Sequence, residues 1–196
     1  MRKLKQLETS RLILRMFEEK DMEAIWEIFK DEKVNTYLPW FPLQTLAEAK
    51  TFFHQNILGN DDYRYAICLK EENVPIGYVT VSMQESHDFG YGLLEKYWRQ
   101  GIVSEAARAV MEHVKNEGLS FLTATHDINN EHSGYVMQSL GMKYQYTYEE
   151  LWQPKNKIVH FRMYQLNFDE SDFVFKDYWE KSKVRYIEKE LLQVNK

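Results

Sequence analysis

Phe89-Gly90-Tyr91-Gly92-Leu93-Leu94-Glu95-Lys96-Tyr97-Trp98-Arg99-Gln100-Gly101-Ile102-Val103-Ser104-Glu105-Ala106 decides how this chain is read. Its first third has the length and composition of a strand. Two glycines inside a strand mark a kink, a bulge or a close approach by a ligand. Its last third opens a helix whose apolar stripe runs through Ile102, Val103, Ala106, Ala107, Val110, Met111 and Val114 and stops at Gly118. A strand that passes through a glycine-containing turn into a helix offers unpaired N–H groups and the positive end of the helix dipole to an anion. Arg99 adds a fixed positive charge beside Gly101, Ile102, Val103 and Ser104. A plain connection with Gly101 as its turn residue explains the same spacing, so spacing alone leaves both readings open.

Outward from this stretch, the pattern predicts alternating strands and helices. Arg11–Met16 reads as a strand with Leu12, Leu14 and Met16 on one face. Asp21 is placed to cap a helix carrying Met22, Ile25, Trp26, Ile28 and Phe29. Pro39 and Pro42 punctuate the segment around Trp40 and Phe41, and Thr45 starts a further helix, Leu46 to Phe53. After the turn Asn60-Asp61-Asp62, Tyr63–Leu69 and Ile76–Met83 read as a hairpin. Beyond the central helix come a short strand, Phe121–Thr125, a helix, Ser133–Leu140, and an antiparallel pair, Tyr144–Leu151 with Ile158–Phe168. From 169 the composition shifts to charges interleaved with aromatics. Phe175, Tyr178, Trp179, Ser182, Tyr186 and Leu191 fall near helical spacing, so residues 171–193 read as one amphipathic helix. The expected organisation is one domain, 1–168, with an extension, 169–196, packed on it or on a dimer mate.

Composition narrows the function classes. The 196 residues are 44% hydrophobic and 28% charged, with 8 Gly and 4 Pro, which fits one globular domain and excludes low-complexity classes. A net charge of −5 argues against nucleic acid as a partner and suits cationic ones. Nothing approaches the ~20 apolar residues of a membrane span, and no apolar stretch follows the basic start, so a cytoplasmic protein is expected. The single cysteine, Cys68, lies in an apolar run and reads as a core thiol. His126 and His132 match no zinc spacing and read as solvated loop residues; no metal is expected.

Motifs along the chain are similar to those of the GNAT N-acetyltransferase superfamily, in particular the branch containing ribosomal-protein N-terminal acetyltransferases. Leu7-Glu8-Thr9-Ser10-Arg11-Leu12-Ile13-Leu14-Arg15 resembles that branch's L-E-T-x-R-L-x-L-R opening. Tyr97–Ala106 resembles its Y-W-x-x-G-x-A-T-E-A motif, and Asn130-Glu131-His132-Ser133 with Leu140-Gly141-Met142 resembles its N-x-x-S…L-G-F helix. The resemblance covers about residues 7–168. It implies an α/β (α+β) fold: a mixed, strongly bent central sheet with helices on both faces, and acetyl-CoA wedged between two splayed strands.

The resemblance also implies roles. An amine attacks the thioester directly in a ternary complex, so positioning supplies much of the rate. A backbone N–H on the Phe89–Leu94 strand, with Leu93 among the cofactor contacts, would polarise the thioester carbonyl. Arg99, Gln100, Gly101, Ile102, Val103 and Ser104 would hold the pyrophosphate, and Asn130 the pantetheine arm. Ser133 would stabilise the departing thiolate, the alternative being that it caps a helix. The superfamily's usual tyrosine falls at Met137, which donates no proton. Asp88 and Glu85, with His87 beside them, are the candidate bases, and a water relay without a dedicated base is an equal alternative. Tyr37 and Trp40 are candidates for walling the acceptor pocket. Val103 stands where the branch has a small residue, and the E-K pair usual before L-G is missing. These departures raise an alternative, an acyl-CoA-binding protein with little transferase activity. The acceptor is expected to be a small or peptide amine, and a homodimer is possible.

Overall fold

In the computed structural model, residues 4–58, 61–169 and 171–193 are described; Asn60 of the expected turn and 194–196 of the extension fall outside them. Strands β1 (Leu7–Glu8), β2 (Leu12–Arg15), β3 (Tyr63–Leu69), β4 (Pro75–Val81) and β5 (Phe89–Leu93) form one antiparallel sheet in chain order. Strands β6 (Phe121–Asp127), β7 (Lys143–Trp152), β8 (Lys157–Asn167) and β9 (Arg185–Tyr186) form a second, in the order β6-β8-β7-β9. The two halves meet at a parallel bridge between Asp88 and Thr123. The bent sheet is thus two antiparallel halves joined at one point, with β5 and β6 parting beyond it.

Side-chain alternation sorts the halves onto two faces. Leu12, Leu14, Tyr65, Ile67, Val79, Phe89 and Leu93 pack under α4 (Ile102–Asn116), whose buried stripe includes Ile102, Ala106, Ala107, Val110 and Val114. This is the helical stripe expected from sequence. The opposite face of the first sheet, with Ala66, Cys68 and Tyr78, is covered by α1 (Met22–Lys30) and α3 (Leu46–Phe52) through Ile25, Ile28, Phe29 and Ala49. The short α2 (Glu32–Asn35) follows α1, and Asp31 caps it by accepting from the amides of Lys33 and Val34. Cys68 is fully buried and burial pushes its thiol up to about 11, as a core cysteine requires. Asp21 stands at the N-cap of α1 but does not cap it; its carboxylate holds Arg15 in a bidentate pair, 2.7 and 2.9 Å. Two buried charges left apart are far costlier than one uncapped amide, so the pair takes the carboxylate.

The expectation of one helix over 171–193 is not met. The chain forms α6 (Asp177–Lys181), the edge strand β9 and α7 (Lys189–Gln193). Phe175, Tyr178 and Trp179 pack on an aromatic layer made by Tyr146, Tyr148 and Phe161 of the second sheet, Tyr178 stacked on Tyr148 and Trp179 edge-on to Tyr146. Burial of those rings on a sheet outweighs the helical propensity of the charged residues interleaved with them. Arg162 and Glu188 fix the far end with paired contacts of 2.9 and 2.7 Å. No helix among the described residues is long and apolar enough to cross a membrane.

Candidate active site

The site grows out of the hydrogen-bond parity of β5 and β6. Ser82 N–H donates to Asp88 O, and Leu94 N–H donates to Ile76 O. Even-numbered residues of β5 therefore pair with β4, and Tyr91 and Leu93 turn their N–H and C=O groups toward β6. On β6, Ile128 N–H donates to His160 O, so the even positions pair with β8 and Thr125 and Asp127 face the gap. The seam is closed by the Asp88–Thr123 bridge at one end and open at Leu93 and Asp127. Between those ends, strand amides of Tyr91 and Leu93 point into a wedge across which no strand bridge to β6 forms among the described residues. Trp98 Nε1–H donates to Leu93 O at 2.6 Å, tying the following turn to the mouth of this wedge.

That turn has the geometry of an anion cradle. Arg99 (φ 59°) and Gly101 (φ 71°) are both left-handed, bracketing Gln100, and no side chain caps α4. The first-turn amides of Ile102, Val103 and Ser104 are thus aimed outward, and Arg99 is exposed beside them. A Cβ on Gly101 would meet only Arg11 Nη2, at 3.8 Å. Glycine is needed here for its backbone, not for space. Val103 packs its side chain against the core under α4 and does not fill the turn.

The turn is held from behind. Glu105 accepts from Thr9 Oγ1–H (2.5 Å), Ser10 Oγ–H (3.0 Å), Arg11 N–H (3.1 Å) and Arg11 Nε–H (2.7 Å), while Arg11 Nη2–H donates to Gln100 O at 3.1 Å. Burial raises the Glu105 carboxyl, but these donors outweigh it and hold the group down at about 2. Two motifs about ninety residues apart are one structural unit.

On the α4 side of the wedge stands α5 (Glu131–Ser139). Asn130 is its N-cap, its side chain accepting from Ser133 N–H at 3.4 Å. Ser133 is the third helical residue and not the cap. Its hydroxyl meets Tyr91 OH at 2.8 Å, and Tyr91 OH also donates to Ser133 O at 2.8 Å. Burial pushes the Tyr91 phenol upward, so it stays a neutral donor. Sequence reading missed Tyr91, although it lies between the two glycines of the deciding stretch. Met137 is buried in the core under α4. His126 is buried as well, 4% exposed, beneath Gly134, where a Cβ would lie 2.8 Å from its Nε2. The solvated-loop reading of His126 is therefore wrong: odd–even alternation on β6 turns it onto α5. Burial lowers its pKa. No group of three His, Cys, Asp or Glu among the described residues is arranged to hold a metal.

Asp88 lies on the opposite face from Tyr91, three residues away, or roughly 10 Å along the strand. Its Oδ1 is buried without a hydrogen-bond partner. Burial, with a further push from Glu150, raises its carboxyl to about 7. Glu85 is exposed in the turn before β5, next to Ser86, whose carbonyl accepts from Thr123 Oγ1–H at 2.8 Å. Tyr37 and Trp40 lie at the far end: Tyr37 OH donates to Asn129 O at 3.0 Å, and Trp40 packs on Phe29 and Phe52, its Nε1 buried and unpartnered. Lys155 Nζ donates to Asn35 O at 2.8 Å, so the β7–β8 turn joins the same rim.

A split sheet whose gap presents strand amides and opens beside an uncapped, left-handed turn defines an acyl-transferring class of fold. The comparisons agree. Residues 11–143 match the family described as the acetyltransferase (GNAT) domain, and the chain belongs to that family. An uncharacterized N-acetyltransferase, YnaD, of Bacillus subtilis is 31% identical over 139 residues, covering 69% of this chain and 81% of the relative. A GNAT-family acetyltransferase structure from Bacillus anthracis superposes with a TM-score of 0.73 at 26% identity, over 83% of this chain and 98% of that one. The fold is also shared with RimL, a ribosomal L7/L12 alpha-N-protein acetyltransferase solved with coenzyme A: TM-score 0.74, 20% identity, 85% of this chain and 100% of that one. The protein is an N-acetyltransferase.

Proposed function

We propose that the protein transfers an acetyl group from acetyl-CoA to a primary amine by direct attack in a ternary complex. The observation that carries this reading is the open wedge between β5 and β6, ending at the uncapped turn Arg99–Ser104. The pyrophosphate sits on the amides of Gln100 to Ser104 beside Arg99, and the pantetheine arm runs past Asn130 into the wedge. The N–H of Tyr91 or Leu93 polarises the thioester carbonyl.

Two faces divide the proton traffic. Asp88, on the face away from α4, takes a proton from the incoming ammonium, either directly or through water. Its raised pKa suits it to be a base near neutral pH. Ser133, on the α5 face, stabilises the leaving thiolate, with its hydroxyl oriented by Tyr91. The amine nitrogen bonds to the carbonyl carbon, the C–S bond breaks, and the thiol departs protonated. The chain 1–168 carries this chemistry, and the extension walls one side of it.

Calorimetric titration with acetyl-CoA, paired with Gly101→Glu, tests the cofactor assignment. Wild-type binding that the variant loses supports it; binding unaffected by a carboxylate in the turn overturns it. Release of CoA with a panel of primary amines tests the transfer.

A further inference from the structure

The two ends of α5 are held by different means. At the far end, Arg108 Nη2–H of α4 donates to Ser139 O at 3.0 Å, and Gln138 Nε2–H donates to the hydroxyl of the buried Tyr164 at 3.1 Å. The near end carries Asn130 and Ser133, and beneath it lies the ring of His126, on β6. That ring approaches Gly134 so closely that a Cβ there would stand 2.8 Å from Nε2 and 3.1 Å from Cε1. The ring is itself pinned. Its Nδ1 lies 2.8 Å from Asp127 O, and a carbonyl only accepts, so Nδ1 carries the proton. Its face is tilted against Tyr164, centroids 5.6 Å apart. The same Asp127 carbonyl accepts from Asn130 N–H at 2.7 Å. His126 is thus joined to the start of α5 at Gly134 and, through Asp127 O, at Asn130.

Two features of this contact run against stability. Glycine is the poorest helix former after proline, yet it stands inside α5. His126 Nε2 is buried without a hydrogen-bond partner among the described residues, a cost that an apolar side chain would avoid. Both have one explanation if the ring sets the height of the helix. A side chain at 134 would lift the near end by roughly 1 Å to restore an ordinary contact, and the fixed far end turns that lift into a tilt. Ser133 is the neighbour of Gly134, and its hydroxyl lies 2.8 Å from Tyr91 OH. A shift of that size along the bond breaks it.

We infer that His126 is the positioning residue for the thiolate end of the site: through Gly134 it fixes the height of α5 over β6, and so holds Ser133 at Tyr91 and Asn130 at the pantetheine arm. The inference rests on the transferase reading above. His126 acts through the helix, not on the reacting atoms.

A double-mutant cycle in steady-state CoA release tests this. His126→Asn keeps an N–H near the place of Nδ1 and removes the far edge of the ring. Gly134→Ala in the wild type lowers kcat by about tenfold or more, since a misplacement of this size can cost about 10²-fold. KM for the amine stays within about twofold, because the acceptor enters on the other face. In the His126→Asn background the methyl fills vacated space, and Gly134→Ala leaves kcat unchanged or raises it. An equal loss in both backgrounds overturns the inference. So does a wild-type kcat in Gly134→Ala with a raised Tm, the behaviour of a helix resting on nothing that matters, or a KM for the amine that worsens in step with kcat. Should Gly134→Ala alone not fold, His126→Asn decides: kcat lowered and then restored by adding Gly134→Ala supports the inference, and a wild-type kcat in the single variant refutes it. If the wild type acetylates no amine, the transferase reading fails on those acceptors, and the same cycle is read in calorimetric affinity for CoA, since Asn130 rides on the same helix. A loss with Gly134→Ala that His126→Asn cancels then supports the inference; unchanged affinity, or a wild type that binds no CoA, refutes it.

Discussion

The hydroxyl of Tyr91, on β5, lies 2.8 Å from both the carbonyl oxygen and the Oγ of Ser133, the third residue of α5. The pair spans the wedge on its α4 side and fixes the serine rotamer toward the gap. Ser133→Ala removes the thiolate's partner, and kcat is expected to fall by roughly 10²-fold, within the usual range for a positioned acid. Affinity for acetyl-CoA, measured by calorimetry, stays within about threefold because the cradle amides are untouched. Tyr91→Phe leaves Ser133 in place but free to rotate, so a smaller loss in kcat is expected, with KM for the amine nearly unchanged.

Asp88 gives a pH dependence of definite sign. Its carboxyl ionises at about 7 in the fold, against an ordinary value of 3.8. As a base it works only when ionised, so kcat/KM rises with pH through about 7 and flattens above. Asp88→Asn removes that limb and leaves a low, flat profile; a limb that survives the substitution assigns it to another group. Stability runs the other way. The folded state holds a proton on Asp88 that the unfolded state has lost between about 4 and 7, so stability falls as pH rises through that window. Asp88→Asn is therefore expected to raise the Tm at pH 8, read by calorimetry, even as it lowers activity.

Much of this arrangement was legible in the sequence, for reasons that differ by residue. The α4 stripe and the Leu12/Leu14 face follow from periodicity, which burial on one side enforces. Gly101 could be read because a left-handed turn admits few residues. The extension could not, because its aromatic spacing of three and four fits a helix as well as it fits a ribbon lying on a flat layer of rings. His126 was misread because a histidine between polar neighbours looks solvated until the strand's parity turns it inward under Gly134. Tyr91 escaped because its partner lies 42 residues away on another element, and spacing says nothing of such contacts. The same limit hid the union of the Thr9–Arg11 and Gln100–Glu105 motifs, although each was recognised singly.

That union carries a further prediction. Glu105 collects four donors from Thr9, Ser10 and Arg11, and through Arg11 it braces the carbonyl of Gln100 in the cradle. Glu105→Gln keeps the size but loses the charge, and it turns one oxygen into a donor facing Arg11. A loss of about 2 kcal/mol is expected, the scale of hydrogen bonds to a charged group, together with weaker acetyl-CoA binding as the turn loosens. The folded carboxyl titrates at about 2, below its ordinary 4.5, so its contribution is fully present above 4.5 and is lost as pH falls toward 2. Urea denaturation at pH 7 and pH 3 separates this from a packing effect. The gap between wild type and Glu105→Gln narrows at pH 3 if charge is what holds the clamp, and it stays constant if shape alone does.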